Sequence, residues 1–413
     1  MTATDSNHHS FHKTAMPVPF WQIAFRPFFL FASIFLLLSL TLWGLILNQA
    51  YPASLSGYYP YAGWLAWHSH EIIFGFVQGI AIGFLLTASR SWASQKGVNA
   101  TFIKLLISIW IAARIAWLIP STEPVLIMLL DALTPLLAAA GLAKTLYDGE
   151  KKNSKGSQNH NWPFVLLLSA FALVQILFHL LNSHQPQYIS LLMQVSVLMM
   201  AAMTLWVAGR VLPFFTKMRL QTPITTVPKG IKFLAMSASW LLIPALVLHQ
   251  FLANQNETQS YAYALAAIAA SATLFHSFTL IRLFKLGIKS EPMLWSLFLA
   301  YAWIISGYAL LTASLFYSAS PNWLHAITVG GLLGMIISMM ARISLGHTGR
   351  KIVALKGMGL AFILISIAAA IRISPTSLLE LSLSIALVIV ALLIFLAHYG
   401  RLLIKPRADG KLD

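Results

Sequence analysis

An all-α bundle of about twelve membrane-crossing helices, with both termini cytoplasmic, is the fold this sequence predicts. Three observations predict it. Of 413 residues, 58% are hydrophobic and only 9% are charged, where a soluble domain carries about a quarter charged. The apolar residues come in blocks of about 20, the length that crosses a bilayer core as a helix. The Lys and Arg residues alternate with those blocks.

In order along the chain, the blocks cover 27–47, 69–89, 102–119, 124–147, 163–182, 189–210, 230–252, 261–283, 293–317, 323–345, 354–373 and 378–401. Tyr51–Pro52, Pro120, Lys151–Asn161, Pro223–Gly230, Asn254–Ser260, Pro292, Pro321 and Pro375 punctuate them, as turn-forming residues do. Barrel strands would be half as long and would alternate polar with apolar residues. With the N-terminus inside, every Lys and Arg of the 27 except Arg114 and Arg372 falls on the cytoplasmic side. A wrong number of spans would scramble that alternation, so twelve helices follow from the positive-inside rule. One transmembrane domain over 21–404 is expected. It is flanked by a polar, disordered tail over 1–20, holding His8, His9 and His12, and a short tail over 405–413.

The net charge of +16 does not point to nucleic acid, because the basic residues sit in short loops where orientation signals belong. The expected partner is lipid. There is no cysteine, which excludes disulfides, thiolate metal sites, Fe–S clusters and covalent c-type heme. The polar start of the chain reads as no cleavable signal peptide. A resident metal must use His, Met, Tyr or carboxylate.

The histidines supply that chemistry. Six of the 13 fall near the outer surface: His68 and His70 at the start of the second span, His179 at the end of the fifth, His184 just beyond it, His249 at the end of the seventh, and His325 at the start of the tenth. Taken singly, each fits an interfacial residue among headgroups, beside Trp64, Trp67 and Trp323. As a group at one depth they suit metal, since imidazole is the commonest ligand and polar groups in a bilayer tend to be functional. In Trp67-His68-Ser69-His70-Glu71, the two histidines point about 200° apart on a helix. They serve two centres, or one is a ligand and the other supports it. Glu71, three residues from His68, lies on its face and is expected to orient an imidazole. The spacing is not HExxH, so a zinc protease is disfavoured.

His347 follows His325 by 22 residues, roughly 33 Å along a helix, and cannot share its centre. It belongs to Leu345-Gly346-His347-Thr348-Gly349-Arg350, a polar exit that also reads as a glycine-ended helix cap. Arg114 and Asp131 lie at matching depths, roughly 8–10 Å inside their spans, and are expected to form an intramembrane ion pair. Arg372 reads as a residue that snorkels to the headgroups, or as a partner for a heme propionate.

Four segments together resemble the NnrS family. They are Trp67-His68-Ser69-His70-Glu71-Ile72-Ile73-Phe74-Gly75-Phe76 running on to Gly83-Phe84-Leu85-Leu86-Thr87-Ala88; Gly209-Arg210-Val211-Leu212-Pro213-Phe214-Phe215-Thr216; His325-Ala326-Ile327-Thr328-Val329-Gly330 running on to Ala341-Arg342-Ile343-Ser344-Leu345-Gly346-His347-Thr348-Gly349-Arg350; and Phe25-Arg26-Pro27-Phe28-Phe29. Members are bacterial inner-membrane proteins of twelve helices, described as containing heme and copper and linked to the nitric oxide response. The resemblance carries the family's histidines onto His68, His70, His179, His325 and His347. Ser89-Arg90-Ser91-Trp92 departs from the Asn-Trp-Thr-Gly-like turn usual in the family.

A weaker, fold-level analogy is to the catalytic subunit of heme-copper oxidases, where histidines of the second and tenth helices clamp a heme near the outer face. Here the tenth span has no HxH pair and the sixth no histidine. The expectation is a b-type heme between the second and tenth helices. His70 and His325 are its axial ligands, His68 is the next choice, and Arg372 is near. Copper is expected on His179, His184 and His249, in a protein of nitric oxide response and nitrosative-stress defence. Two other readings stand beside it. One is a nitric oxide or oxygen reductase fed by an unidentified electron donor. The other is a heme or metal transporter, for which Pro213 and Pro244 hint at broken helices without any evident repeat.

Overall fold

The computed structural model describes residues 19–50, 58–152, 160–223, 225–252, 258–317 and 322–410. The tail with His8, His9 and His12, and the chain beyond residue 410, lie outside the described residues. The described residues form twelve long helices and no strand. These are α1 (Phe25–Leu47), α2 (Trp64–Ala93), α3 (Ala100–Leu118), α4 (Pro124–Lys152), α5 (Pro163–His184), α6 (Pro186–Leu220), α7 (Lys229–Leu252), α8 (Gln259–Leu283), α9 (Pro292–Ser314), α10 (Trp323–His347), α11 (Met358–Ile373) and α12 (Leu378–Ile404). Eleven are long and apolar enough to cross a membrane; α11, with 16 residues, is shorter. The chain is a multi-pass membrane protein.

Local chemistry sets the helix ends. The Asn99 side chain accepts from the Phe102 amide at 2.9 Å to open α3, and Ser377 caps α12, satisfying amides that have no intrahelical partner. Pro163 and Pro292 stand in the first turns of α5 and α9, where a missing amide hydrogen costs nothing. The eleventh span starts four residues later than its hydropathy suggests, because Gly357 takes φ +84° and interrupts any helix entering from residue 354.

Consecutive helices pack antiparallel, most closely α9 with α10, α7 with α8, α4 with α5, α11 with α12 and α1 with α2, while α12 returns to α1. The centre is α2: 83% of its apolar stretch is buried, against 28% for α7 and α12. Three glycines four residues apart let its neighbours approach. A Cβ at Gly75 would lie 2.6 Å from Phe35, one at Gly79 3.2 Å from the Trp110 indole nitrogen, and one at Gly83 2.6 Å from the Phe28 Cβ. Small residues at this spacing are how membrane helices pack closely where lipid removes the hydrophobic drive. Gly83→Val is therefore expected to push α1 off α2 and destabilise the fold by about 1–3 kcal/mol, read as a lower midpoint of thermal unfolding in detergent. Gly209→Val is the comparison, since a Cβ there meets nothing within 4 Å. Equal stability of the two variants would contradict the close approach.

Both α2 and α10 contain a π-helical stretch, Glu71–Val77 and Ala326–Leu333. Each starts on the residue after a histidine, His70 and His325. Such stretches leave carbonyls outside the regular ladder and are frequent at functional sites.

Candidate metal and cofactor sites

The two histidines of α2 diverge as the helical period requires, and each meets a different set of helices. His70 is fully buried, facing α3, α4 and α5. Its Nδ1 lies 2.9 Å from Glu71 Oε1. With Glu71 ionised, the carboxylate can only accept, so Nδ1 carries the hydrogen and Nε2 keeps a lone pair. That Nε2 has no hydrogen-bond partner and lies 3.5 Å from Asp131 Oδ2. His179, at the end of α5 and 3% exposed, brings its Nε2 to 3.0 Å from the same Asp131 oxygen, and its Nδ1 is unpartnered. Ring nitrogens of His70 and His179 and a carboxylate oxygen of Asp131 thus lie within 4.8 Å of one another.

A second set of groups holds these ligands in place. Arg114 donates to Glu71 Oε1 at 2.7 Å and to Asp131 Oδ1. The Trp117 indole donates to Asp131 Oδ2 at 2.8 Å. Trp117 and Phe178 pack on the His70 ring, with centroids 4.5 and 4.8 Å away, and Tyr61 stacks on His179 at 5.5 Å and 17°. The polar members come from α2, α3, α4 and α5, and aromatic rings pack around them. With both carboxylates ionised and both imidazoles neutral, the group sums to −1. In a medium of low dielectric that charge favours one bound cation, or a proton, between the imidazoles.

His68 faces the other way, toward α1, α10, α11 and α12. Trp43 stacks on it, centroids 4.4 Å apart at 11°. His68, His325 and Arg372 line one pocket, with Leu36, Phe76 and Val388 among its apolar walls. The Nδ1 atoms of His68 and His325 are buried and unpartnered. Two imidazoles with unpartnered Nδ1 atoms and one guanidinium, in a pocket otherwise apolar but for Thr328 and Ser384, form a donor set fit for a flat, apolar, acid-bearing ligand.

The six outer histidines thus separate. His70 and His179 meet around Asp131, whereas His68 and His325 share the other pocket. His184 is exposed beyond them, and His249 is half-buried on α7; neither reaches the Asp131 group. The pocket that His325 lines is shared with His68 and not with His70, because residues two apart on α2 face opposite sides. Glu71 supports His70 and not His68. His347 lies at the far end of α10, its ring against Phe25 and its carbonyl accepting from Arg407 at 2.9 Å. Trp117 and Tyr61 were not singled out by sequence, which offers aromatic residues in abundance and nothing to mark these two.

The NnrS protein family profile matches residues 19–407. The chain belongs to the NnrS family. The match spans all of α1 to α12, and the family is linked to the nitric oxide response. No curated protein matches the sequence.

Proposed function

We propose that this NnrS chain binds heme and copper in a bacterial inner membrane and acts in nitrosative-stress defence. One observation carries the reading: α2 delivers two imidazoles to two separate buried sites, and each site gains a second imidazole from another helix. His68 and His325 would hold the heme, with Arg372 available to a propionate. His70 and His179, with Asp131, would hold copper, which suits neutral imidazole in a chain without thiols. Heme and copper, when bound, would supply one-electron chemistry. The protein's own contribution is to fix the rings. Glu71 sets the tautomer of His70, Asp131 orients His179, and Trp43 holds His68 flat against α1, as the supporting groups of metal ligands do.

Elemental analysis and the visible spectrum of the purified protein test this reading. Both iron and copper are expected. His179→Ala should lose copper and keep the heme spectrum, because His179 does not line the His68 pocket. Protein prepared with heme and copper supplied but retaining neither would overturn the reading. Copper undiminished in His179→Ala would remove the assignment of that site.

A further inference from the structure

A third polar group lies apart from both sites, between α7, α8 and α9. His276 is 1% exposed. Its Nε2 lies 2.8 Å from Ser239 Oγ and its Nδ1 2.7 Å from the Tyr301 hydroxyl. His276 and Tyr301 both line a cavity of about 350 Å³ toward the basic side of the bundle, with Trp206, Phe233 and Met236 as apolar walls. Arg210 and Lys232 also line it. Phe233 is 71% exposed on the bundle surface, so the cavity borders the lipid. A buried histidine in a membrane is costly unless it is paired or used. Here it opens onto a space reachable from the bilayer.

We propose that this cavity binds the ring of a lipid-soluble quinone or quinol. The hydrogen-bond chain fits both forms of that ring. In one arrangement the Ser239 hydroxyl donates to the Ala235 carbonyl, 3.2 Å away. His276 Nε2–H then donates to Ser239, and Tyr301 donates to Nδ1. The Tyr301 oxygen is left to accept from a quinol hydroxyl. In the other arrangement Ser239 donates to Nε2, Nδ1–H donates to the Tyr301 oxygen, and the Tyr301 hydroxyl is free to donate to a quinone carbonyl. One tautomer of His276 thus offers an acceptor and the other a donor at the same atom. An aromatic-walled cavity bordering lipid selects a flat apolar ring over a hydrated anion. The inference uses none of the residues assigned to heme or copper.

Titration of the full-length protein in detergent with decyl-ubiquinone, followed by calorimetry, tests the site. Saturable binding is expected. Tyr301→Phe should weaken it about tenfold, the loss of one buried hydrogen bond. Gly209→Leu fills the cavity where a Cβ meets no neighbour, and should abolish binding while the unfolding midpoint stays unchanged. His68→Ala should leave binding intact even if it destroys a heme signal, which separates this inference from the proposed function. Absence of saturable binding, equal affinity in Tyr301→Phe and Gly209→Leu, or complete displacement by phosphatidylglycerol would each overturn it, the last by showing an anionic lipid at Arg210 and Lys232.

Discussion

Arg114→Met is expected to cost about 3–5 kcal/mol of stability, the loss found when one member of a buried ion pair is removed and the other is stranded. Two carboxylates depend on this guanidinium. Glu71 and Asp131 are both essentially without solvent, and Arg114 bonds both. Without it the group falls from −1 to −2, with only the Trp117 indole and the two imidazoles left as donors. A planar fork can bridge two carboxylates where an ammonium is a point charge, so Arg114→Lys should fall between wild type and Arg114→Met. Adding Asp131→Asn to Arg114→Met removes one stranded charge and should recover part of the loss. Thermal unfolding of the four proteins in one detergent gives the comparison. An Arg114→Met protein as stable as wild type, or a double variant less stable than the single one, would show that the two carboxylates are not held as an ionised pair by Arg114.

The same cluster shows what the sequence makes legible. Depth along a helix can be counted, at 1.5 Å per residue, and Arg114 and Asp131, counted to similar depths, do meet. The angle between His68 and His70 follows from the helical period, and in the structure the two rings enter different sites. Position around the bundle cannot be counted. His179, His184 and His249 share a depth with His70, yet of the two at the end of α5 only His179 turns toward Asp131, and His249 stands on α7. Choosing among them requires knowing which helices are neighbours, which hydropathy does not encode. Gly75, Gly79 and Gly83 were a readable sign that α2 is the central helix, since their spacing marks a face of close approach. Ser239, His276 and Tyr301 carried no local sign, being separated by 37 and 25 residues and joined only by the packing of α7, α8 and α9.

Position around the bundle also decides the second large effect. His68→Ala and His325→Ala are each expected to lose the visible heme spectrum, whereas His70→Ala should retain it. Counting residues favoured His70 as the partner of His325, since either histidine of α2 has the right depth. The side chains favour His68, which lines the pocket that His325 and Arg372 line, while His70 is enclosed by Glu71, Asp131, Trp117 and Phe178. Moving His70 into that pocket would turn α2 by about half a turn, bringing Glu71 with it and breaking its bond to Arg114. Arg372→Leu should keep both imidazoles and weaken retention of heme during purification, by removing a charge-assisted contact of about 1.5–3 kcal/mol. The unfolding midpoints of the His variants separate loss of a ligand from loss of the fold. A spectrum lost in His70→Ala and kept in His68→Ala, with both proteins folded, would assign the heme to the Asp131 side of α2 and leave the His68 pocket for another ligand.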